Sequence, residues 1–141
     1  MIDEGTELSI RTTDSGGFLV MQVEGDLDLE SAPALTTELK ARLGPRPIVL
    51  DLAGVEFMDS SGLGVLVGAH KEAAAQGGAL VLAAPTPRVH KIFKITKLHK
   101  VFALYETLDE AVESLGGRLE VEAAPVETVV PGFGVESDDR G

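Results

Sequence analysis

Ile48-Val49-Leu50-Asp51-Leu52, followed after a short gap by Phe57-Met58-Asp59-Ser60-Ser61-Gly62-Leu63-Gly64, is the stretch on which the fold turns. The first five residues are rich in Val, Ile and Leu on both faces, the pattern of a central strand buried on two sides. A helical stretch then runs to about Gln76. Leu63, Leu66, Val67, His70 and Ala74 fall on one side of it, with Lys71, Glu72 and Gln76 on the other. Gly77-Gly78 ends the helix. A buried strand feeding a one-sided helix through a polar loop is the opening of a parallel strand–helix–strand unit.

Outward from this unit, Glu7–Thr13 alternates Leu8, Ile10 and Thr12 against Ser9, Arg11 and Thr13, as a half-buried strand does. Asp14-Ser15-Gly16-Gly17 is a turn cluster and Phe18–Val23 a second strand, so a hairpin is expected. Gly25-Asp26-Leu27-Asp28 ends that strand. Ser31 offers an N-cap to a helix with Ala32, Leu35, Leu39 and Leu43 inside, stopping at Gly44-Pro45. Downstream, Ala79–Ala84 is another buried-type strand, and Thr86-Pro87 opens a helix with Val89, Ile92, Phe93 and Thr96 on its core side. A short strand at Val101–Leu104 and a last helix follow. Thr107 caps that helix, which turns Leu108, Ala111, Val112 and Leu115 inward before Gly116-Gly117. The expected architecture is a single α/β domain over residues 1–117. It has a mixed four- to five-stranded sheet and about four helices, mainly on one face. From Arg118 to Gly141 acidic residues mix with Pro125, Pro131, Gly132 and Gly134 without a period, which reads as a largely disordered acidic tail.

The 141 residues are 44% hydrophobic and 25% charged, enough apolar material for one core. No apolar run approaches the ~18 residues of a membrane span, and the acidic start lacks a secretory pattern, so no membrane partner is expected. The absence of cysteine removes disulfides and thiolate chemistry and is compatible with a reducing cytoplasm. A formal charge of −11 opposes tracking of phosphate backbones, so nucleic acid is not an expected partner.

The loop Asp59-Ser60-Ser61-Gly62-Leu63-Gly64 stands where strand passes to helix, a usual place for ligands and modifications. One reading makes Ser60 or Ser61 a plain helix cap. Another makes one of them a phosphate acceptor, its phosphate lying beside the free N–H groups of the first helical turn. A serine nucleophile is disfavoured because the glycine before the serine is missing. His70 falls on an apolar side, and His90 and His99 lie in a lysine-bearing stretch. No complete dinucleotide fingerprint or phosphate-binding loop is present, and no metal-ligand spacing, so neither cofactor nor metal is expected. Arg88, Lys91, Lys94, Lys97 and Lys100 recur every third residue and are five of the twelve cations. They form either a solvated face or a contact for an acidic partner or for the tail.

The run from Ile48 to Leu66 resembles the bacterial anti-sigma factor antagonists of the STAS domain family. Gly25-Asp26-Leu27-Asp28, Lys91-Ile92-Phe93 and Leu98-His99-Lys100-Val101-Phe102 support the likeness, which covers about residues 7–116. It implies a protein that binds an anti-sigma factor and so frees a sigma factor. The anti-sigma factor, itself a serine kinase, phosphorylates the antagonist and switches it off, and a serine phosphatase restores it. By position the modified residue is Ser60, with Asp26, Asp28, Asp59, Ser61, Gly62 and Leu63 around it on the partner-binding face. On this likeness the chain is a substrate and ligand in the cytoplasm, not an enzyme. The alternative is a small-ligand or nucleotide-binding STAS module using the same loop.

Overall fold

The computed structural model describes residues 8–116 and, as backbone, residues 125–129. β1 (Leu8–Asp14) and β2 (Leu19–Leu27) form the expected antiparallel hairpin, with Leu8 opposite Gly25 and Asp14 opposite Leu19. α1 (Ala32–Arg42) leads to β3 (Ile48–Met58), and α2 (Ser60–Ala75) leads to β4 (Leu80–Ala83). α3 (Pro87–Ile95) and a 3-10 turn at Leu98–Lys100 lead to β5 (Ala103–Tyr105), before α4 (Leu108–Ser114) and β6 (Pro125–Val129). The strands lie in the order β5-β4-β3-β2-β1-β6. β2 to β5 are mutually parallel, and β1 is antiparallel to both its neighbours.

This is the expected mixed α/β sheet, with one strand more than the sequence pattern indicates. Residues 125–129, expected from composition to belong to an irregular tail, pair with β1, from Ser9 opposite Val129 to Thr13 opposite Pro125. Val126, Thr128 and Val129 are β-branched, and β1 would otherwise expose an unpaired edge. Proline at the first position of an edge strand costs no needed ladder bond. Glu7 and the rest of the 118–141 segment lie outside the described residues.

β3 runs through the middle, which explains its two apolar faces. Ile48, Leu50 and Leu52 join a core with Leu35 and Leu39 of α1, Leu66 and Ala69 of α2, and Val89 and Phe93 of α3. Val49 faces the other way, with Val20, Val81 and Ala83 against Ala111 and Val112 of α4. Three helices thus cover one face and α4 part of the other. β3 continues six residues past its apolar run, gaining two residues on β2 through register shifts after Gln22 and after Gly25. At the first shift, Asp51 is buried on the sheet, and its carboxylate accepts from Gln22 Nε2 (3.2 Å) and from the N–H of Ala53 (2.9 Å). The shifts carry the β3–α2 loop level with the end of β2. At the opposite pole, Arg46 donates to Asp14 Oδ1 (2.8 Å) and to the Gly16 carbonyl (3.0 Å), tying the hairpin turn to the loop before β3. That hydrogen bond holds the exposed Asp14 carboxyl below its usual range.

Two local expectations are corrected by packing. α2 buries Gly62, Leu66, Ala69 and Ala73, whereas Leu63, Val67 and His70 are only half-buried and Ala74 is exposed. The small residues let the helix backbone approach the sheet, so its inner face is rotated by about one residue from the apolar stripe. Ser31 is not the side-chain cap of α1. Asp28 Oδ1 accepts from the N–H of Glu30 (3.1 Å) and of Ser31 (3.0 Å), while Ser31 Oγ accepts from the N–H of Asp28 (3.0 Å). This is a reciprocal capping box opened by Asp28. Thr86 and Thr107 cap α3 and α4 as expected, accepting from Val89 (3.3 Å) and Glu110 (3.0 Å).

Candidate functional site

The carboxyl ends of the parallel strands and the amino ends of α1, α2 and α3 share one pole of the domain. That is where an open sheet of this kind offers its loops to a ligand or partner. The loops from β2 and β3 are held together there by one atom. The Leu27 carbonyl accepts from the N–H of Asp59 (3.0 Å), so Asp26 and Asp28 sit on either side of the contact and Asp59, Ser60 and Ser61 above it. Gly62 presses on the same carbonyl. A Cβ there would stand 2.8 Å from the Leu27 oxygen, 2.9 Å from Leu27 Cβ and 3.0 Å from Met58 Cγ.

Neither serine caps α2. Asp59, in extended backbone, turns Oδ1 to the N–H of Ser61 (2.8 Å) and of Gly62 (3.3 Å), and its carbonyl accepts from Leu63 (3.0 Å). Ser60, the first helical residue, is exposed, and its hydroxyl has no hydrogen-bond partner among the described residues. Ser61 is half-buried and lines a groove between α1 and α2. The choice between a capping serine and an available one is therefore settled by the residue before them. Asp59→Ala is expected to destabilise the domain by about 1–2 kcal/mol, as loss of a cap does, and Ser60→Ala by under about 0.5 kcal/mol. Urea unfolding of the two variants checks the assignment.

The same geometry corrects the expectation that a phosphate on Ser60 would lie among free donors of the helix start. Two of those N–H groups already bond the Asp59 carboxylate, which also stands next to any phosphate on Ser60. The helix dipole favours such an anion by about 0.3–1 kcal/mol, and repulsion of a phosphate of about 1.5–2 charges from one carboxylate in water costs about 1.5–2 kcal/mol at ~4 Å. The dipole offsets part of that repulsion, leaving a net cost of about 1 kcal/mol within the domain.

Of the other residues expected at this face, Asp26 is exposed and free for a partner, whereas Asp28 is committed to the capping box and Leu63 is half-buried against the core. Two exposed apolar side chains at the same pole escape sequence reasoning: Leu29 at 72% and Phe57 at 42% exposure. The histidines stand elsewhere. His70 is ten residues along α2, about 15 Å from Ser60 by helical rise, and its ring meets Phe102 edge-on at 5.1 Å. His99 is bonded through Nδ1 to the Phe93 carbonyl (3.3 Å). None of the three hydrogen-bonds Ser60, so no nucleophile–base pair forms. The five cations of the α3 stripe are exposed, and none makes an ion pair with a described residue. Among the described residues no cluster of three potential metal ligands occurs, and no helix is long and apolar enough to cross a membrane.

Comparison with known proteins places this geometry. The STAS domain profile matches residues 9–111. The anti-sigma F factor antagonist of Paenibacillus polymyxa is 30% identical over 111 residues, 77% of this chain and 95% of that protein. The anti-sigma-B factor antagonist of Staphylococcus aureus is 33% identical over 101 residues, 70% and 94% of the two chains. The crystal structure of an anti-sigma factor antagonist from Mycobacterium paratuberculosis superposes with a TM-score of 0.74 at 30% identity, covering 82% of this chain and 99% of that one. With the profile spanning the sheet and its helices, and these relatives matched almost end to end, the chain belongs to the STAS domain family, among the anti-sigma factor antagonists.

Proposed function

We propose that this chain binds an anti-sigma factor through the pole around Ser60 while that residue is bare, freeing a sigma factor, and releases it when Ser60 is phosphorylated. The kinase and its ATP belong to the anti-sigma factor, and a serine phosphatase resets the switch. The chain is ligand and substrate in this cycle and carries out no chemistry itself. One observation supports the reading above the others. At the start of α2 the capping work is done by Asp59, which leaves the Ser60 hydroxyl exposed and unbonded, ready for a kinase. The names borne by the relatives point the same way. Asp26, Leu29 and Phe57, exposed in the loops of the same pole, offer the mix of charge and apolar surface that a protein contact uses.

Incubation of the full chain with a kinase-type anti-sigma factor and ATP is expected to add a single phosphate, located at Ser60 by mass spectrometry and absent from Ser60→Ala. Label at Ser61 or on a residue away from the pole would refute the site. Ser61 is the informative competitor, because it is the adjacent hydroxyl but is half-buried toward α1.

A further inference from the structure

α3 and the 3-10 turn behind it carry a surface for which the fold has no use. No Asp or Glu occurs between Glu72 and Glu106, while Arg88, Lys91, Lys94, Lys97 and Lys100 all fall inside that interval. The five are exposed, and none pairs with a described residue. A face that serves solubility alone commonly interleaves both signs, with acids spaced to offset the cations. Here one sign is concentrated in a chain whose formal charge is −11. Exposed apolar side chains stand among these cations, Ile95 at 69% and Val101 at 49% exposure. Arg88, Lys91 and Ile95 follow one another at helical spacing on α3, a ridge of about 10 Å, with Lys94 beside Ile95. The backbone gives an independent sign. Lys97 follows the C-cap Thr96 in the left-handed conformation, φ 64° and ψ 15°. Glycine is the usual residue there, because a Cβ makes that conformation costly. The Lys97 side chain bonds none of the described residues, so nothing in the described fold offsets the strain it brings.

We propose that this surface docks an acidic segment of a partner protein, its carboxylates meeting Arg88, Lys91, Lys94 and Lys97 around an apolar residue seated on Ile95. The charge of the remaining chain selects this occupant. Outside the stripe seven cations share the sequence with 23 acidic residues. A bilayer or a nucleic-acid duplex presents an extended anionic surface, which meets that repulsive field as well as the stripe. A short acidic segment stays within about one Debye length, ~8 Å, of the five cations. Ile95 supplies what a purely ionic contact lacks, an apolar centre inside a polar rim. The stripe begins with Arg88 at the amino end of α3 and runs away from the Ser60 pole along the helix. The docking is therefore independent of the Ser60 hydroxyl and holds whether or not that residue is a switch.

The test titrates the full chain, at neutral pH and low salt, with the synthetic peptide Glu-Asp-Glu-Leu-Glu-Asp-Glu and with its analogue carrying Gln and Asn in place of the acids. Amide resonances of residues 88–101 are expected to shift with the acidic peptide alone, and its affinity is expected to fall as salt is raised to about 0.15 M. The double variant Lys91→Gln/Lys94→Gln should bind about tenfold more weakly, and Ile95→Ser about fivefold. Both change exposed side chains, so the fold is expected to persist. Lys97→Gly separates docking from folding. It should raise the thermal midpoint by about 2–6 °C, by relieving the left-handed lysine, while weakening the peptide about threefold. A lysine that served only the turn would not lose binding. Absence of shifts, equal shifts with the amide analogue, or shifts centred outside residues 88–101 would each overturn the proposal. So would full affinity in Lys91→Gln/Lys94→Gln. Vesicles of phosphatidylcholine and phosphatidylserine are expected to leave the chain unbound. Vesicle binding that the double variant loses would assign the stripe to a bilayer and overturn the proposal equally.

Discussion

A chain phosphorylated on Ser60 is expected to bind its anti-sigma factor about 100-fold more weakly than the bare chain, a loss of about 2.8 kcal/mol. The bare serine has no partner among the described residues, so docking over it breaks none of their hydrogen bonds and desolvates one hydroxyl. Phosphate adds about 1.5–2 negative charges at that spot. Two of the first-turn donors, the N–H groups of Ser61 and Gly62, are already bonded to Asp59, so most of its compensation would have to come from water or the partner. A partner surface suited to Leu29, Phe57 and a neutral hydroxyl offers none, and burying an ion without partners costs several kcal/mol. Ser60→Ala is therefore expected to bind like the bare chain and to ignore the kinase. Ser60→Asp carries one charge on a shorter stem and is expected to lose about tenfold, or about 1.4 kcal/mol. Calorimetry of the four species against one anti-sigma factor ranks them. Equal affinities for bare and phosphorylated chains would remove the mechanism, whatever the kinase does to Ser60. The fold itself is expected to survive the phosphate, because the helix dipole offsets part of the Asp59 repulsion and leaves a net cost of about 1 kcal/mol.

Pattern alone carried the sheet and two of the four helix caps a long way. Alternation in β1, the doubly apolar β3, and the Thr86 and Thr107 caps are each decided within a few residues, and each appears in the fold as read. What stayed hidden depended on contacts between distant segments. The inner face of α2 is set by glycine and alanine, which hydropathy counts weakly but which decide how close a helix can come to a sheet. β6 vanished into the acidic composition of its surroundings, although a β-branched run beside an unpaired strand edge needs few residues to pair. Asp28 and Ser31 both suit a helix start, and it is the aspartate whose carboxylate bonds the N–H groups of the turn leading into α1.

The candidate site was legible as a place and misread in its wiring. Asp59-Ser60-Ser61-Gly62 identifies a strand-to-helix loop with hydroxyls to spare, but spacing does not say which side chain satisfies the helix. Aspartate, serine and a neighbouring serine are interchangeable caps by propensity. The backbone decides among them: Asp59 is extended and precedes the first helical residue, so its carboxylate is the one that reaches back over the N–H groups. Leu29 and Phe57 could not be found by periodicity, because each belongs to an apolar pattern that would ordinarily be buried.

Gly62 is where the fold and the proposed switch are most tightly joined, and its replacement is expected to separate three substitutions that look alike in sequence. Gly62→Ala should destabilise the domain by about 1–3 kcal/mol, because the new methyl meets the Leu27 carbonyl at 2.8 Å as well as two side chains. That oxygen is fixed by its bond from Asp59, so relief requires α2 to lift at its amino end, carrying Ser60 with it. Helix propensity works in the opposite direction by up to about 1 kcal/mol and does not cancel a backbone clash. Gly64→Ala and Gly68→Ala lie on the same helix, exposed, with open space at the Cβ. There only the gain in propensity remains, and each is expected to stabilise by about 0.5–1 kcal/mol. For a domain of this size 1 kcal/mol corresponds to about 4–8 °C, so thermal unfolding resolves the opposite signs. Phosphorylation by the anti-sigma kinase should slow in Gly62→Ala and stay unchanged in Gly64→Ala, since only the first displaces the acceptor. If all three alanines shift stability in one direction, α2 is not seated on the end of β2 as described, and the placement of Ser60 at the pole loses its support.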